Sequence, residues 1–235
     1  MKYLFIFLLT ALAIRSTAQT EFNDKNAEVR SVGSFTGIKV SGGIEVFLSQ
    51  SNEYALAVSA SEDEYRDAMK TIVRNGVLTI SYEGGHSRFN NNRKLRAYIS
   101  FKTLESLEAS GACYILVNGT LKANSFKLKL SGACDIKGNV NIDNLSIELS
   151  GASNVKVNGT LQNLKISASG ASDVKNYDLV TDNCEADLSG ASDVRITINK
   201  SVAAKASGAS SLYYKGNPER KIINASGASS ISQRN

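Results

Sequence analysis

The sequence predicts an all-β chain wound as a right-handed parallel β-helix of about 19–21 residues per coil, with one short helix near its N-terminus. Three observations lead there. A Ser-Gly-Ala triplet recurs seven times, beginning at Ser110, Ser131, Ser150, Ser169, Ser189, Ser207 and Ser226. Apolar residues recur at fixed offsets from that triplet, two apart along the chain. Eighteen glycines accompany a single proline, a balance suited to many tight turns joining regular strands.

The successive triplets lie 21, 19, 19, 20, 18 and 19 residues apart. Such a period marks a solenoid whose coils cannot bury a core alone and must stack. Counting from the repeat serine, position −1 holds Ala109, Leu130, Leu149, Ala168, Leu188, Ala206 and Ala225. Position −3 holds Leu107, Leu128, Ile147, Ile166, Ala186, Ala204 and Ile223, and position +5 holds Ile115, Ile136, Val155, Val174, Val194, Leu212 and Ile231. Alternation of this kind is the signature of strands with one buried face. Parallel connections are overwhelmingly right-handed, which sets the expected hand. The triplet glycine falls where an inward side chain is expected, and is read as letting the coil bend or pack closely.

At the N-terminus, Met1-Lys2 followed by the apolar run Tyr3 to Ile14 and the small-residue site Ser16-Thr17-Ala18 reads as a signal peptide, residues 1–18, with the mature chain starting at Gln19. Residues 19–235 are expected to form a single solenoid domain, irregular over 30–109 and regular over 110–235. No later stretch approaches the roughly twenty apolar residues of a membrane helix. Lys2 and Arg15 leave with the signal, taking the formal charge from +5 to +3, too mild a value to imply nucleic acid. The chain is therefore expected to be exported to the periplasm, the outer surface or the medium.

Within the irregular part, Phe35 to Leu48 alternates around Ser41-Gly42-Gly43 and reads as a degenerate first coil. Ser61 with Glu64 forms a capping-box pattern, predicting a helix from Glu62 to about Lys70. Asn75-Gly76 between two β-rich runs predicts a hairpin or tight coil turn. Glu83 to Lys94 reads as a polar loop.

Together, Phe35 to Leu48, Asn75 to Ile80 and the Ser-Gly-Ala coils resemble the head GIN domain family of auto-transporter adhesins. The resemblance covers nearly the whole mature chain and implies a right-handed β-helix in an exported protein. It carries over no binding residue.

Chemistry is sparse. The only histidine, His86, lies in the polar loop, so no imidazole-assisted nucleophile is indicated. No cluster has zinc spacing and no glycine-rich loop has the setting of a phosphate cradle, so no metal or cofactor is expected. The most ordered polar feature is a pair of columns. Position +4 holds Asp135, Asn154, Asp173 and Asp193, and position +6 holds Lys137, Lys156, Lys175 and Arg195. These columns read either as mutually neutralising charges or as a carbohydrate- or calcium-binding strip, with Asp173 and Asp193 as the candidate ligand-binding acids. Arg88, Phe89, Arg93, Lys94 and Arg96 form a second candidate, a basic loop suited to an acidic glycan or a protein. Cys113 and Cys134 share position +3, serine in every later coil, and are expected to be ladder neighbours within disulfide range; Cys184 reads as a buried apolar residue.

These readings converge on an exported, non-enzymatic surface or envelope protein, an adhesin or scaffold presenting a rigid rod to a glycan or protein. The alternative is a carbohydrate-active β-helix enzyme, lyase or hydrolase, using the stacked acids. A terminal coil with unpaired edges also suggests an end-to-end dimer.

Overall fold

The computed structural model describes residues 24–85 and 92–235. His86, Arg88, Phe89 and the predicted signal peptide lie outside the described residues. Chain order gives β1 (Glu28–Arg30), β2 (Gly37–Ser41), β3 (Glu45–Gln50), β4 (Ala55–Ser59), helix α1 (Asp63–Asp67), β5 (Met69–Arg74), β6 (Val77–Tyr82), β7 (Arg96–Phe101) and β8 (Ser106–Ser110). The regular part follows as β9 (Tyr114–Leu130), β10 (Asp135–Leu149), β11 (Asn154–Ala168), β12 (Asp173–Leu188), β13 (Asp193–Ala206), β14 (Ser211–Lys215), β15 (Arg220–Ala225) and β16 (Ser230–Gln233). The strands form a parallel β-solenoid of about seven turns.

Each regular coil pairs in parallel with the next, and the register is the one the triplet alignment predicts. Asp135 faces Asn154, Ile136 faces Val155, and Ile147 faces Ile166. The ladder passes over Asp143 and Gln162 between the Ile142/Leu161 and Asn144/Asn163 pairs, which divides each coil into differently directed stretches. The three apolar columns point inward. Ile115, Ile147, Val155 and Val194 are fully buried, and their columns stay buried as far as Ala206 and Leu212. Full burial of one such side chain contributes about 1.5–3 kcal/mol.

The triplet glycines correct one expectation. Instead of facing inward they occupy an exposed outer corner, with φ between +70° and +87°. L-residues rarely adopt that region. They also stack on one another so tightly that a Cβ at Gly151 would sit 2.4 Å from the carbonyl oxygen of Gly132. The corner is closed by backbone bonds from Ala152 N to Gly132 O and from Ala171 N to Gly151 O, at 2.7 and 2.8 Å.

Behind each corner, position +3 points inward. The buried hydroxyls of Ser153, Ser172, Ser192 and Ser210 each donate to the carbonyl of their own repeat serine, at 2.8–3.2 Å. Cys113 and Cys134 do the same with their thiols, to Ser110 O and Ser131 O at 3.3 and 3.2 Å. A small side chain with one donor is what the corner requires, so cysteine and serine share the column. All three cysteines are buried free thiols. Burial pushes Cys184 up to about 12.

The N-terminal part forms an end to this stack. Ser41-Gly42-Gly43 lies on Ser110-Gly111-Ala112: β2 pairs in parallel with β8, and β3 with β9. Coil one thus sits in register with the regular coils although residues 51–105 intervene. Those residues, together with β1, extend the sheet beyond it, through β6 and then β5 beside β2, and through β7, β4 and β1 beside β3. The Asn75-Gly76 turn joins antiparallel β5 and β6, with φ of +51° and +74° as a two-residue hairpin requires. The helix is shorter than expected. It ends at Asp67, its N-cap is Glu62 without a side-chain cap bond, and Met69 is fully buried at the start of β5. Burial of Met69 in a strand outweighs the local helical pattern.

Candidate functional site

The charged columns lie on the outer surface of the first stretch of each coil. Asn154 donates to Asp135 at 2.7 Å, Lys175 reaches Asp173 at 2.8 Å and Asp193 at 3.5 Å, and Arg195 reaches Asp193 at 2.8 Å. Asp173 and Asp193 are direct ladder neighbours, and Lys175 bridges them. Its pKa is raised, chiefly by the bond to Asp173. Toward either end the cations rest on aromatic rings: Lys137 lies over Tyr114 at 5.2 Å and Arg195 over Tyr213 at 5.8 Å.

Among the described residues, the basic-loop candidates Arg93, Lys94 and Arg96 have separate surroundings. Arg93 lies over the Tyr82 ring at 5.0 Å, and Lys94 takes a left-handed backbone with φ of +47°. Arg96 belongs to β7, where it bonds Glu45 at 3.0 Å and reaches Asp24 at 3.4 Å. Tyr98 also donates to Asp24, at 2.7 Å. Burial alone would raise the Asp24 pKa, but bonds from Tyr98, Ser59, Asn26 and Arg96 together lower it. Arg96 is thereby committed to fastening the N-terminal segment onto the sheet.

A third feature is a groove of about 1080 Å³ on another side of the rod, running across the coils from Thr103 to Ala203. One wall is position −6, which holds Ser125, Asn144, Asn163, Asn183 and Ser201. These side chains form a hydrogen-bonded ladder: Asn163 donates to Asn144 Oδ1 at 2.8 Å, Asn183 to Asn163 Oδ1 at 3.0 Å, and Ser201 to Asn183 Oδ1 at 2.7 Å. The other wall is position −4, with Lys127, Ser146, Lys165 and Glu185. Lys165 and Glu185 are paired at 3.2 Å. Sequence reasoning missed this groove. Aligning the −6 column on the repeat serine exposes it. Among the described residues, no group of three or more His, Cys, Asp or Glu side chains is placed to hold a metal ion.

Several solved structures share this fold. A "putative adhesin" from Bacteroides fragilis superposes with a TM-score of 0.83 at 20% identity, covering 90% of this chain and 98% of that one. A "putative lipid binding protein" from Parabacteroides distasonis gives 0.66 at 21% identity over 89% and 98%. A "putative adhesin" from Parabacteroides merdae gives 0.64 at 16% identity over 89% and 95%. At these identities the likeness shows the fold. No curated protein matches the chain. The family model described as "Putative auto-transporter adhesin, head GIN domain" matches residues 34–218, and the chain belongs to that family.

Proposed function

We propose that this chain is an exported, non-enzymatic protein of the adhesin type, presenting a stiff rod at the cell surface or envelope to a glycan or protein outside the cell. The observation that carries the reading is the long groove on a rod whose coils are hydrogen-bonded in unbroken succession from β2 to β16. A partner bound there meets a fixed array, so little ordering entropy is spent on the protein side. Family membership supports a surface role, and the Ser16-Thr17-Ala18 site supports export. Among the described residues no helix is long and apolar enough to cross a membrane.

The enzymatic alternative would use the acidic column, and it needs one carboxyl that holds and releases a proton. Asp173 and Asp193 are instead both engaged by Lys175 in ion pairs on the outer face of the coils. The test is adhesion of the purified mature chain to intact cells and to a glycan array, with reducing and unsaturated ends assayed in parallel. Retention without new chain ends is the expected result. Release of ends that is lost in Asp173→Ala or Asp193→Ala would overturn it.

A further inference from the structure

We infer that the groove between the −6 and −4 columns binds a neutral, extended polysaccharide lying parallel to the rod axis. This rests on the adhesin reading above and names its ligand class. Three properties of the groove lead to it.

The first is hydrogen-bonding capacity. A carboxamide offers two N–H donors and two acceptor positions. Asn163 spends one donor on Asn144 and one acceptor position on Asn183, and the remaining pair is left at the exposed wall. Asn144 likewise donates to Asn124 O and accepts from Asn163. At Asn144 and Asn163 the ladder fixes the amide in one orientation, with a donor beside an acceptor; at Asn183 both N–H groups are taken up, by Asn163 Oδ1 and Gln162 O. A sugar hydroxyl, itself both donor and acceptor, is the complementary group.

The second is spacing. Equivalent side chains repeat at the coil separation of roughly 4.8 Å, close to the advance per residue of an extended, equatorially linked pyranose chain. From Ser125 to Ser201 the wall spans four such steps, roughly 19 Å. In a two-fold chain alternate sugars turn over, so equivalent hydroxyls would meet every second coil.

The third is charge and backbone. Lys122, Lys127 and Lys165 line the groove with Glu105 and Glu185, and one of these pairs is already neutralised. Such a mixture gives no strip of one sign for a polyanion. Backbone groups of the groove-lining strands are taken up by the coils on either side, which leaves no sheet edge for an extended peptide to join. The two lining carboxylates are about four coils apart, on the order of 19 Å, beyond the roughly 5–9.5 Å at which a pair cleaves a glycosidic bond. Binding without hydrolysis follows.

The test is calorimetric titration of the mature chain with cellohexaose, chitohexaose and xylohexaose, with the matching disaccharides and a heparin hexasaccharide as controls. A neutral hexasaccharide should bind at least tenfold more tightly than its disaccharide. Ser146→Trp fills the middle of the groove from an outward strand position that accepts an aromatic, and it should weaken binding at least tenfold. Asn163→Ala removes one ladder step and should weaken it about fivefold. Lys156→Ala, on the charged face, should stay within twofold of the parent. Unchanged melting temperatures certify folding of all three variants. Hexasaccharide binding that survives both Ser146→Trp and Asn163→Ala would overturn the groove as the site. Adhesion to cells with no neutral oligosaccharide bound, or with only heparin retained, would overturn the ligand class and leave the adhesin reading standing. Adhesion to nothing would overturn both.

Discussion

Replacing Gly151 by alanine should cost far more than the loss of glycine's backbone freedom. Gly119 supplies the comparison, because the two residues have the same φ of +75° and different surroundings. At Gly119 an added Cβ meets nothing within 4 Å, so Gly119→Ala carries only the left-handed backbone penalty of about 1–2 kcal/mol. At Gly151 the same Cβ would lie 2.4 Å from Gly132 O and 2.9 Å from Gly132 N. Both are backbone atoms of the coil below, so no side chain can rotate away. Relief requires the corners to separate, which strains packing by about 1–3 kcal/mol. It also stretches the 2.7 Å bond from Ala152 N to Gly132 O, worth about 1 kcal/mol. The expected total is about 3–6 kcal/mol. Gly227, where the Cβ would lie 3.1 Å from Gly208 O, should fall between the other two. Urea unfolding at constant slope gives the three midpoints directly. Equal losses in Gly119→Ala and Gly151→Ala would refute the claim that the stacked corner, rather than φ alone, selects glycine.

Ile147→Asp places an unpaired carboxylate among buried columns and should lower the melting temperature by well over ten degrees, read by circular dichroism; an unchanged value would show that this column does not face the core. Tyr98→Phe removes a donor to Asp24 and should destabilise by about 1 kcal/mol. Because the folded-state pKa of Asp24 is lowered, its contribution is present above the ordinary aspartate range and is lost as pH falls through the folded value. The acid limb of a stability-versus-pH curve should therefore flatten in Tyr98→Phe, and an identical limb would dismiss the latch. Along β15 and β16 the outer edge carries no partner strand among the described residues, and Ile222 is 57% exposed. If two copies meet there, Ser232→Cys should cross-link under mild oxidation and light scattering should give a dimer; a strict monomer at high concentration without cross-link eliminates that arrangement.

The columns at −3, −1 and +5 were legible because a repeat lets each position be read several times over. Ile115 through Leu212 needed only alignment on the serine to be assigned to the core. The corner glycines were misread because strand alternation extrapolates through a turn, whereas a positive φ at Gly151 ends the alternation there. The helix was overextended because Tyr65 and Met69 fit a helical face locally, while the burial of Met69 is settled by strands distant in sequence. The groove escaped notice for a different reason. Asn144, Asn163 and Asn183 are polar residues at solvent-facing positions, and one coil taken alone gives no sign that they touch; the ladder exists only across coils. The charged columns were visible by the same alignment, and their mutual bonding at Lys175 follows the neutralising alternative. The sheet order of residues 51–105 had no repeat to reveal it.

The insertion between β3 and β8 bears on how the molecule acquires its shape in time. Regular neighbours such as Ser131 and Ser150 are 19 residues apart, whereas Ser41 meets Ser110 across 69. Closing the longer loop costs about 1 kcal/mol more in chain entropy, and it also awaits the hairpin and flanking strands that it contains. Coils between Ser110 and Ala206 should therefore nucleate first, with the N-terminal segments docking in a slower phase. Pulse-labelled hydrogen exchange would register early protection at Ile136 and Val155 and late protection at Val40 and Val46. During synthesis, coil one emerges before β6, β7, β8 and β9, the strands it pairs with, so its pairing waits for theirs to be made.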